Sequence, residues 1–249
     1  MYVTGARIHS DAFPTARYYP FNVPALRNTA YVDLDRPVTF FIGENGSGKS
    51  TLLAAMARKC GVIPIDSPRH HLAHSNPYET RLADFVSVSW AGERVPASLF
   101  RAESFRELAD FLDDVALCDP GQLAYHGGDL LNTRSHGEGM LSYFSARYGR
   151  RGLFFLDEPE TALSPANQVR FLDLLQAYAA RGDAQFVIAT HSPILLSCAG
   201  ARILSFDTVS IEEMDYEATS LYQTYRRFFE EREALTACPV ESLQVSMGW

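Results

Sequence analysis

The twelve residues Phe40-Phe41-Ile42-Gly43-Glu44-Asn45-Gly46-Ser47-Gly48-Lys49-Ser50-Thr51 constrain this chain more than any other stretch. A buried strand, a glycine-rich turn and a helix follow one another, and Gly43, Gly48, Lys49 and Ser50 satisfy G-x-x-x-x-G-K-[ST] without mismatch. Glycines let successive backbone N–H groups turn toward one point, and the helix N-terminus behind them favours negative charge. Lys49 is then placed to reach β- and γ-phosphates, and the Ser50 hydroxyl to ligate Mg²⁺. The whole loop, Gly43, Glu44, Asn45, Gly46, Ser47, Gly48, Lys49, Ser50 and Thr51, reads as a nucleoside-triphosphate cradle.

Composition narrows the class. With 249 residues, 47% of them hydrophobic and 12% aromatic, the chain can bury a sizeable core and reads as globular. Cys60, Cys118, Cys198 and Cys238 are dispersed with no C-x-x-C pair, the usage of reduced thiols in a cytoplasmic protein. No apolar run approaches the roughly 18 residues that span a bilayer, and Met1–Arg7 lacks the apolar core of a leader. The net charge of −8 repels a phosphate backbone, so direct nucleic-acid binding is disfavoured.

Along the chain, Met1–His9 and Ala30–Leu34 read as strands flanking an aromatic, proline-bearing loop, and Val38–Ile42 as the buried strand that enters the phosphate loop. A helix follows to Lys59. The stretch Ile63–Tyr78 is rich in Pro, His and Ser and reads as a solvated loop. His70 and His74 have a metal-ligand spacing there, but no Cys or acidic ligand lies close by. Phe85–Trp90, a turn at Ala91–Arg94 and Ala97–Arg101 predict an antiparallel hairpin. Ser104 is positioned to cap a helix with Leu108, Phe111, Leu112 and Val115 on its apolar face. Beyond the polar loop Gly121–Arg134, short apolar strands alternate with helices, which describes a parallel sheet covered on both faces. Residues Glu217–Leu235 predict a last amphipathic helix, with a loosely held tail after it.

Leu153-Phe154-Phe155-Leu156-Asp157-Glu158 is an apolar strand ending in two carboxylates. Asp157 at its tip can hold Mg²⁺ from the side opposite Ser50, and Glu158 can orient or deprotonate an attacking water. One strand later, Ala189-Thr190-His191-Ser192-Pro193 sets His191 at another parallel strand end, where ligands of open α/β sheets gather. Lys49, Glu158 and His191 are the expected catalytic groups.

In motif order, from about Val38 through Phe206, the chain resembles the ABC-type ATPases, and within them the short soluble members grouped as AAA-family ATPases. Gly43–Thr51 looks like Walker A, Leu153–Glu158 like Walker B, Leu163-Ser164-Pro165 like the D-loop, and His191 like the switch histidine. Ser135-His136-Gly137-Glu138-Gly139 resembles the signature motif, with Ser135 and Gly137 as its nucleotide-binding positions. The resemblance implies a P-loop NTPase fold: a mostly parallel sheet covered by helices, with an N-terminal antiparallel β subdomain. It implies one domain over 1–249, with the antiparallel elements and Walker A in 1–118, the remaining motifs in 119–235, and a tail at 236–249. It also implies ATP and Mg²⁺ as ligands and a head-to-tail homodimer with two ATPs sandwiched between subunits, in which Ser135 and Gly137 complete the partner's site.

Two departures from the family pattern stand out. The first glutamine is Gln122, only shortly before Ser135, so no residue matches the Q-loop; Glu103, after the strand at Phe100-Arg101, is the candidate in its place and a third Mg²⁺ ligand. Tyr18, Tyr19, Phe21 and Tyr31 are unranked candidates for stacking on adenine. The 86 positions between Lys49 and Ser135 leave no room for long coiled-coil arms, and no nuclease domain is seen after residue 206. The expected function is ATP hydrolysis that drives a partner of unknown identity. The alternatives are the ATP-binding subunit of a membrane transporter and a nucleotide sensor without turnover. No N-K-x-D motif points to GTP, and a small-molecule kinase leaves Ser135 and His191 unexplained.

Overall fold

The computed structural model describes residues 1–62, 76–125 and 127–232, so the readings of His70, His74 and the C-terminal tail lie outside the described residues. The chain divides into two compact units, Met1–Met214 and the residues from Asp215 onward.

The larger unit holds two sheets. The first is antiparallel with order β2-β1-β4, made of β1 (Val3–Ile8), β2 (Tyr31–Asp33) and β4 (Val86–Trp90). The second has six strands: β3 (Val38–Ile42), β5 (Ala97–Arg101), β6 (Gly152–Asp157), β7 (Ala184–Ala189), β8 (Arg202–Ser205) and β9 (Glu212–Glu213). Their order is β5-β6-β7-β3-β8-β9, parallel except for β9. This is the expected fold class, a mostly parallel sheet covered by helices with a small antiparallel sheet built from the N-terminal part of the chain.

Side-chain alternation assigns the two faces of the large sheet. Phe41, Leu153, Phe155, Val187 and Ala189 enter the cluster that includes Leu52, Leu53 and Met56 of α2 (Lys49–Lys59) and Val3, Ala6 and Ile8 of β1. The phosphate-loop helix is therefore sandwiched between the two sheets. Phe154 and Phe186, one residue out of phase, meet an aromatic layer from α4 (His136–Tyr148) and α5 (Pro165–Arg181). There Tyr148 lies 4.7 Å from Phe154, and Phe144 lies 4.6 Å from Phe171. Every residue of β3 and β7 is buried, the signature of parallel strands covered on both sides.

One side chain ties the sheets together. Gln185 of β7 is fully buried; its Oε1 accepts from the N–H groups of Tyr2 (2.7 Å) and Val3 (2.9 Å). Its Nε2 donates to the carbonyls of Val3 (2.9 Å), Leu34 (2.7 Å) and Arg36 (3.3 Å).

Two local expectations are corrected. β4 and β5 do not form a hairpin: β4 pairs with β1, and β5 runs parallel to β6, so residues 91–96 carry the chain from one sheet to the other. Pro96, immediately before β5, has a carbonyl that accepts from Leu153 N–H (3.0 Å), which commits the strand to β6. In α3 (Phe105–Cys118), Phe111 is exposed, Leu108, Leu112 and Val115 are half-buried, and the buried positions are Phe105, Ala109, Asp113 and Ala116. Asp113 occupies the buried face because its carboxylate accepts from the N–H groups of Leu131 (2.7 Å) and Asn132 (2.9 Å). Ser104 precedes the helix without a side-chain capping bond.

The second unit contains α7 (Ser220–Glu230), capped by Thr219, whose hydroxyl accepts from Tyr222 N–H at 3.1 Å. Its apolar side chains Tyr225, Phe228 and Phe229 are exposed, and Arg226 and Arg227 pair with Glu230 and Glu231 one turn on.

Candidate functional site

Strand register builds the site. Arg101 of β5 faces Asp157 of β6, Asp157 faces Ala189 of β7, Ala189 faces Phe41 of β3, and Ile42 faces Ser205 of β8. Five parallel strands thus end in one row. The residues just past those ends, Glu103, Glu158, His191, Gly43 and Asp207, are delivered to one rim of the sheet, as open α/β sheets require.

The phosphate loop has the backbone that its glycines permit. Gly43, Gly46 and Gly48 have φ of 139°, 81° and 99°, a region that side chains disfavour. At Gly48 a Cβ would also stand 3.1 Å from Leu26. Lys49 Nζ donates to the carbonyls of Gly43 (2.5 Å) and Glu44 (2.9 Å), so the ammonium group is folded over the loop. Burial lowers the Lys49 pKa, and the charges of Glu158, Asp207, Asp157 and Glu44 oppose that shift. Thr51 Oγ1 is hydrogen-bonded to the Tyr19 hydroxyl, which anchors the helix start to the preceding aromatic loop.

Across the loop, Ser50 Oγ donates to Asp157 Oδ1 at 2.7 Å. A hydroxyl and a carboxylate in contact at a sheet edge are the donor set that Mg²⁺ takes beside phosphate oxygens and water, so the residues present fit the ion. Among the described residues, no three of His, Cys, Asp and Glu gather into a protein-only metal cage. Burial raises the Asp157 pKa, opposed by the Ser50 hydroxyl and by Arg101, whose Nε lies 4.0 Å from Oδ2. The charge of Glu103 also acts on Asp157, which places Glu103 on this side of the site.

Glu158 is the one non-glycine described residue with positive φ (48°). Its N–H donates to Ala189 O (2.9 Å), and its carbonyl accepts from the Thr161 N–H and hydroxyl (3.1 and 2.8 Å). Such backbone strain persists only where neighbours over-determine it, and it concentrates at functional sites. His191 Nε2 is buried without a hydrogen-bond partner, 4.0 Å from Glu158 Oε1. Burial first, and then the Lys49 charge, lower the His191 pKa, so the imidazole is neutral at pH 7.

Three further residues build the site and were not singled out from the sequence. Asp207 Oδ1 accepts from Glu44 N–H at 2.6 Å and clamps the phosphate loop from the end of β8. Glu160 Oε1 accepts from His191 N–H at 2.5 Å. Gln168 links Leu163 O (3.0 Å) to the Ser192 hydroxyl (2.6 Å). The acidic pattern D-E-P-E offered a signal for Glu160, whereas nothing local marks Asp207 or Gln168.

Ser135 caps α4. Its hydroxyl and N–H both donate to Glu138 Oε2, at 2.6 and 3.3 Å, within a capping box. Those bonds lower the Glu138 pKa. Gly137 packs so closely that a Cβ would lie 3.1 Å from Ala162 O and 3.1 Å from Asn167 Nδ2. Among the adenine candidates, Phe21 is buried against Phe13 and Phe85, and Tyr31 lies on β2 beneath Arg7. Tyr18 is exposed, 5.9 Å from the Tyr78 ring.

Residues 65–197, more than half of the chain, match the family model described as "AAA domain, putative AbiEii toxin, Type IV TA system", and residues 20–65 match a second AAA-domain model. The chain belongs to this AAA-domain family. A cytochrome c biogenesis ATP-binding export protein, CcmA, of Mesorhizobium japonicum is 28% identical over 178 residues, which are 65% of this chain and 81% of that one. A Streptomyces avermitilis protein named "Putative ABC transporter ATP-binding protein" is 29% identical over 192 residues, 73% of this chain but 34% of its own greater length. Among solved structures, the SMC head domain from Thermotoga maritima is 16% identical with a TM-score of 0.43, covering 74% of this chain and 93% of that one. A structure titled "An inward-facing conformation of a putative metal-chelate type ABC transporter" is 18% identical with a TM-score of 0.39, covering 78% of this chain and 79% of that one. No helix of the AAA-domain protein is long and apolar enough to cross a membrane, among the described residues.

Proposed function

We propose that this AAA-domain protein hydrolyses Mg-ATP and that two copies join head to tail around the nucleotide. The observation that carries the reading is the contact of Ser50 with Asp157 at 2.7 Å, with Glu158 and His191 at the adjoining strand end. The loop N–H groups and Lys49 would hold the phosphates, and Ser50, Asp157 and Glu103 the Mg²⁺. When bound, the metal neutralises charge on the phosphate oxygens. Glu158 takes the proton of the attacking water, and neutral His191 orients groups at the γ-phosphate through Nε2. Tyr18, exposed beside the loop that carries Tyr19, is the surface offered to the adenine ring. Ser135 and Gly137 would complete the site of a second copy, and the cycle would drive a partner, in the cytoplasm. Phosphate release from Mg-ATP by the full chain, absent without Mg²⁺, tests the hydrolytic reading; a chain that binds ATP and releases no phosphate would refute it.

The names of the two sequence relatives favour a second reading, in which the chain is the ATP-binding subunit of a transporter. Stable co-purification with a multi-span membrane protein would select it.

A further inference from the structure

Between Glu158 and the signature helix lies the segment Pro159–Ala162, a single 3₁₀ turn, followed by Leu163. Two side chains join this segment to the start of the His191–Ser192 stretch. Glu160 Oε1 accepts from His191 N–H at 2.5 Å. Gln168 donates to Leu163 O at 3.0 Å and accepts from the Ser192 hydroxyl at 2.6 Å. On its other side, the same segment meets Gly137 of α4 through Ala162 O. A continuous path of contacts therefore runs from the N-terminus of α4, through residues 160–162, to the backbone of the histidine beside Glu158.

The Glu160 carboxylate is drawn out of water, which raises its pKa, and the His191 N–H, its own N–H and the Thr190 hydroxyl oppose that shift; ionised groups are strongly penalised when removed from water, so this is a costly way to hold the His191 backbone. A backbone carbonyl or a water would satisfy the N–H of His191 at less cost. What the carboxylate adds is a strong, charge-assisted acceptor on a side chain that belongs to the segment contacted by α4.

We propose that Glu160 is a positioning residue for hydrolysis: its carboxylate fixes His191 to the segment behind Glu158, so that contact at the α4 N-terminus is transmitted to the histidine. The inference rests on the proposed ATPase reading, in which His191 faces the γ-phosphate. Glu160 touches neither nucleotide nor water in this account and acts only through His191.

The test uses the full chain. Glu160→Ala should lower kcat for Mg-ATP by about 10- to 10²-fold, the range in which small misplacements of catalytic groups act, with KM for ATP unchanged. Glu160→Gln keeps an oxygen acceptor and should stay within about 3-fold of wild type. In a His191→Ala background, Glu160→Ala should cost less than about 2-fold more, because residues that act as a unit are not additive. Multiplicative losses, a raised KM, or equal damage from the Gln variant would overturn the proposal. A readout independent of turnover is the His191 amide proton resonance in nucleotide-free protein: it should move upfield in Glu160→Ala and by clearly less in Glu160→Gln, which keeps an oxygen acceptor without the charge. An unmoved resonance in Glu160→Ala overturns the tie whether or not the protein hydrolyses ATP, while a wild type without hydrolysis but with the predicted resonance shift sinks only the ATPase reading. If Glu160→Ala does not fold, Glu160→Asp replaces it, with a carboxylate one methylene short of the N–H.

Discussion

At the phosphate loop, partners meet from far along the chain: Ser50 reaches Asp157, Glu44 reaches Asp207, and His191 reaches Glu160, all through hydrogen bonds of 2.5–2.7 Å. At the N-terminus of α4, Ser135 is satisfied by Glu138, three residues on, and both are exposed. The first region is assembled by the tertiary fold, with Ser50, Asp157, Glu160 and His191 half-buried and Glu44 and Asp207 exposed; the second is assembled by its own helix and faces solvent. The contrast teaches which half of a nucleotide site a single copy can organise. In the proposed reading, binding and bond-breaking groups need the rim of five strands, whereas a surface for a second copy needs only a capped helix end held in place, here by Gly137 against residue 162.

That contrast can be broken at either end. The largest effect is expected from Lys49→Ala, which should abolish ATP binding; undiminished affinity by titration calorimetry would sink the assignment of the loop. Glu158→Gln should keep nucleotide while slowing turnover by ~10²–10⁴-fold, as for loss of a general base. It should also accumulate dimer, so light scattering in Mg-ATP that finds only monomer would break the sandwich model. Ser135→Arg separates the two regions most directly. Because Ser135 is exposed and locally bonded, ATP affinity should stay within about 2-fold of wild type, an effect on binding no larger than about 0.5 kcal/mol. ATP-dependent dimer and hydrolysis should be lost, and normal turnover in that variant would refute the role of the α4 end.

The smallest effect concerns stability. Burial raises the Asp157 pKa above 3.8, so the folded chain retains a proton there that the unfolded chain releases. Stability from this group is therefore lost as pH rises from 3.8 through the raised value, and at pH 7 the ionised form weighs against folding. Asp157→Asn should raise the Tm of metal-free protein at pH 7 by about 2–4 °C, roughly 1 kcal/mol in a chain of this size. The gap should narrow as pH falls; an equal or lower Tm at pH 7 would contradict the burial argument.

The sequence revealed those parts of the fold whose cause is local. Gly43–Thr51 declares itself because glycine spacing, lysine and helix start all lie within nine residues. The strand ending at Asp157-Glu158 declares itself because an apolar run stops at two carboxylates. Ser164-Pro165 marks the start of α5 by the chemistry of its own cap, with Ser164 Oγ accepting from Asn167 N–H. Partner choice between strands has no such local cause. Residues 91–94 look like a hairpin turn, yet β5 takes β6 as its neighbour, more than fifty residues on. The same limit hid Asp207, whose partner Glu44 is 163 residues away, and the buried face of α3, where Asp113 interrupts the apolar period to serve the backbone at 131–132. Phe21, one of the four unranked aromatics that the family resemblance offered for adenine, is consumed by the core with Phe13 and Phe85.

Gln185 carries a consequence for the order in which the chain can assemble. Its amide holds the backbone of Tyr2 and Val3 across 183 and 182 residues, and that of Leu34 across 151. Closing such long loops is entropically expensive and slow, and contacts this far apart in sequence are made late. In a chain still being synthesised, β1 can pair with β2 and β4 early, but the backbone of Tyr2 and Val3 lacks its Gln185 partner until residue 185 has emerged. The tie that joins the two sheets is thus among the last contacts to form.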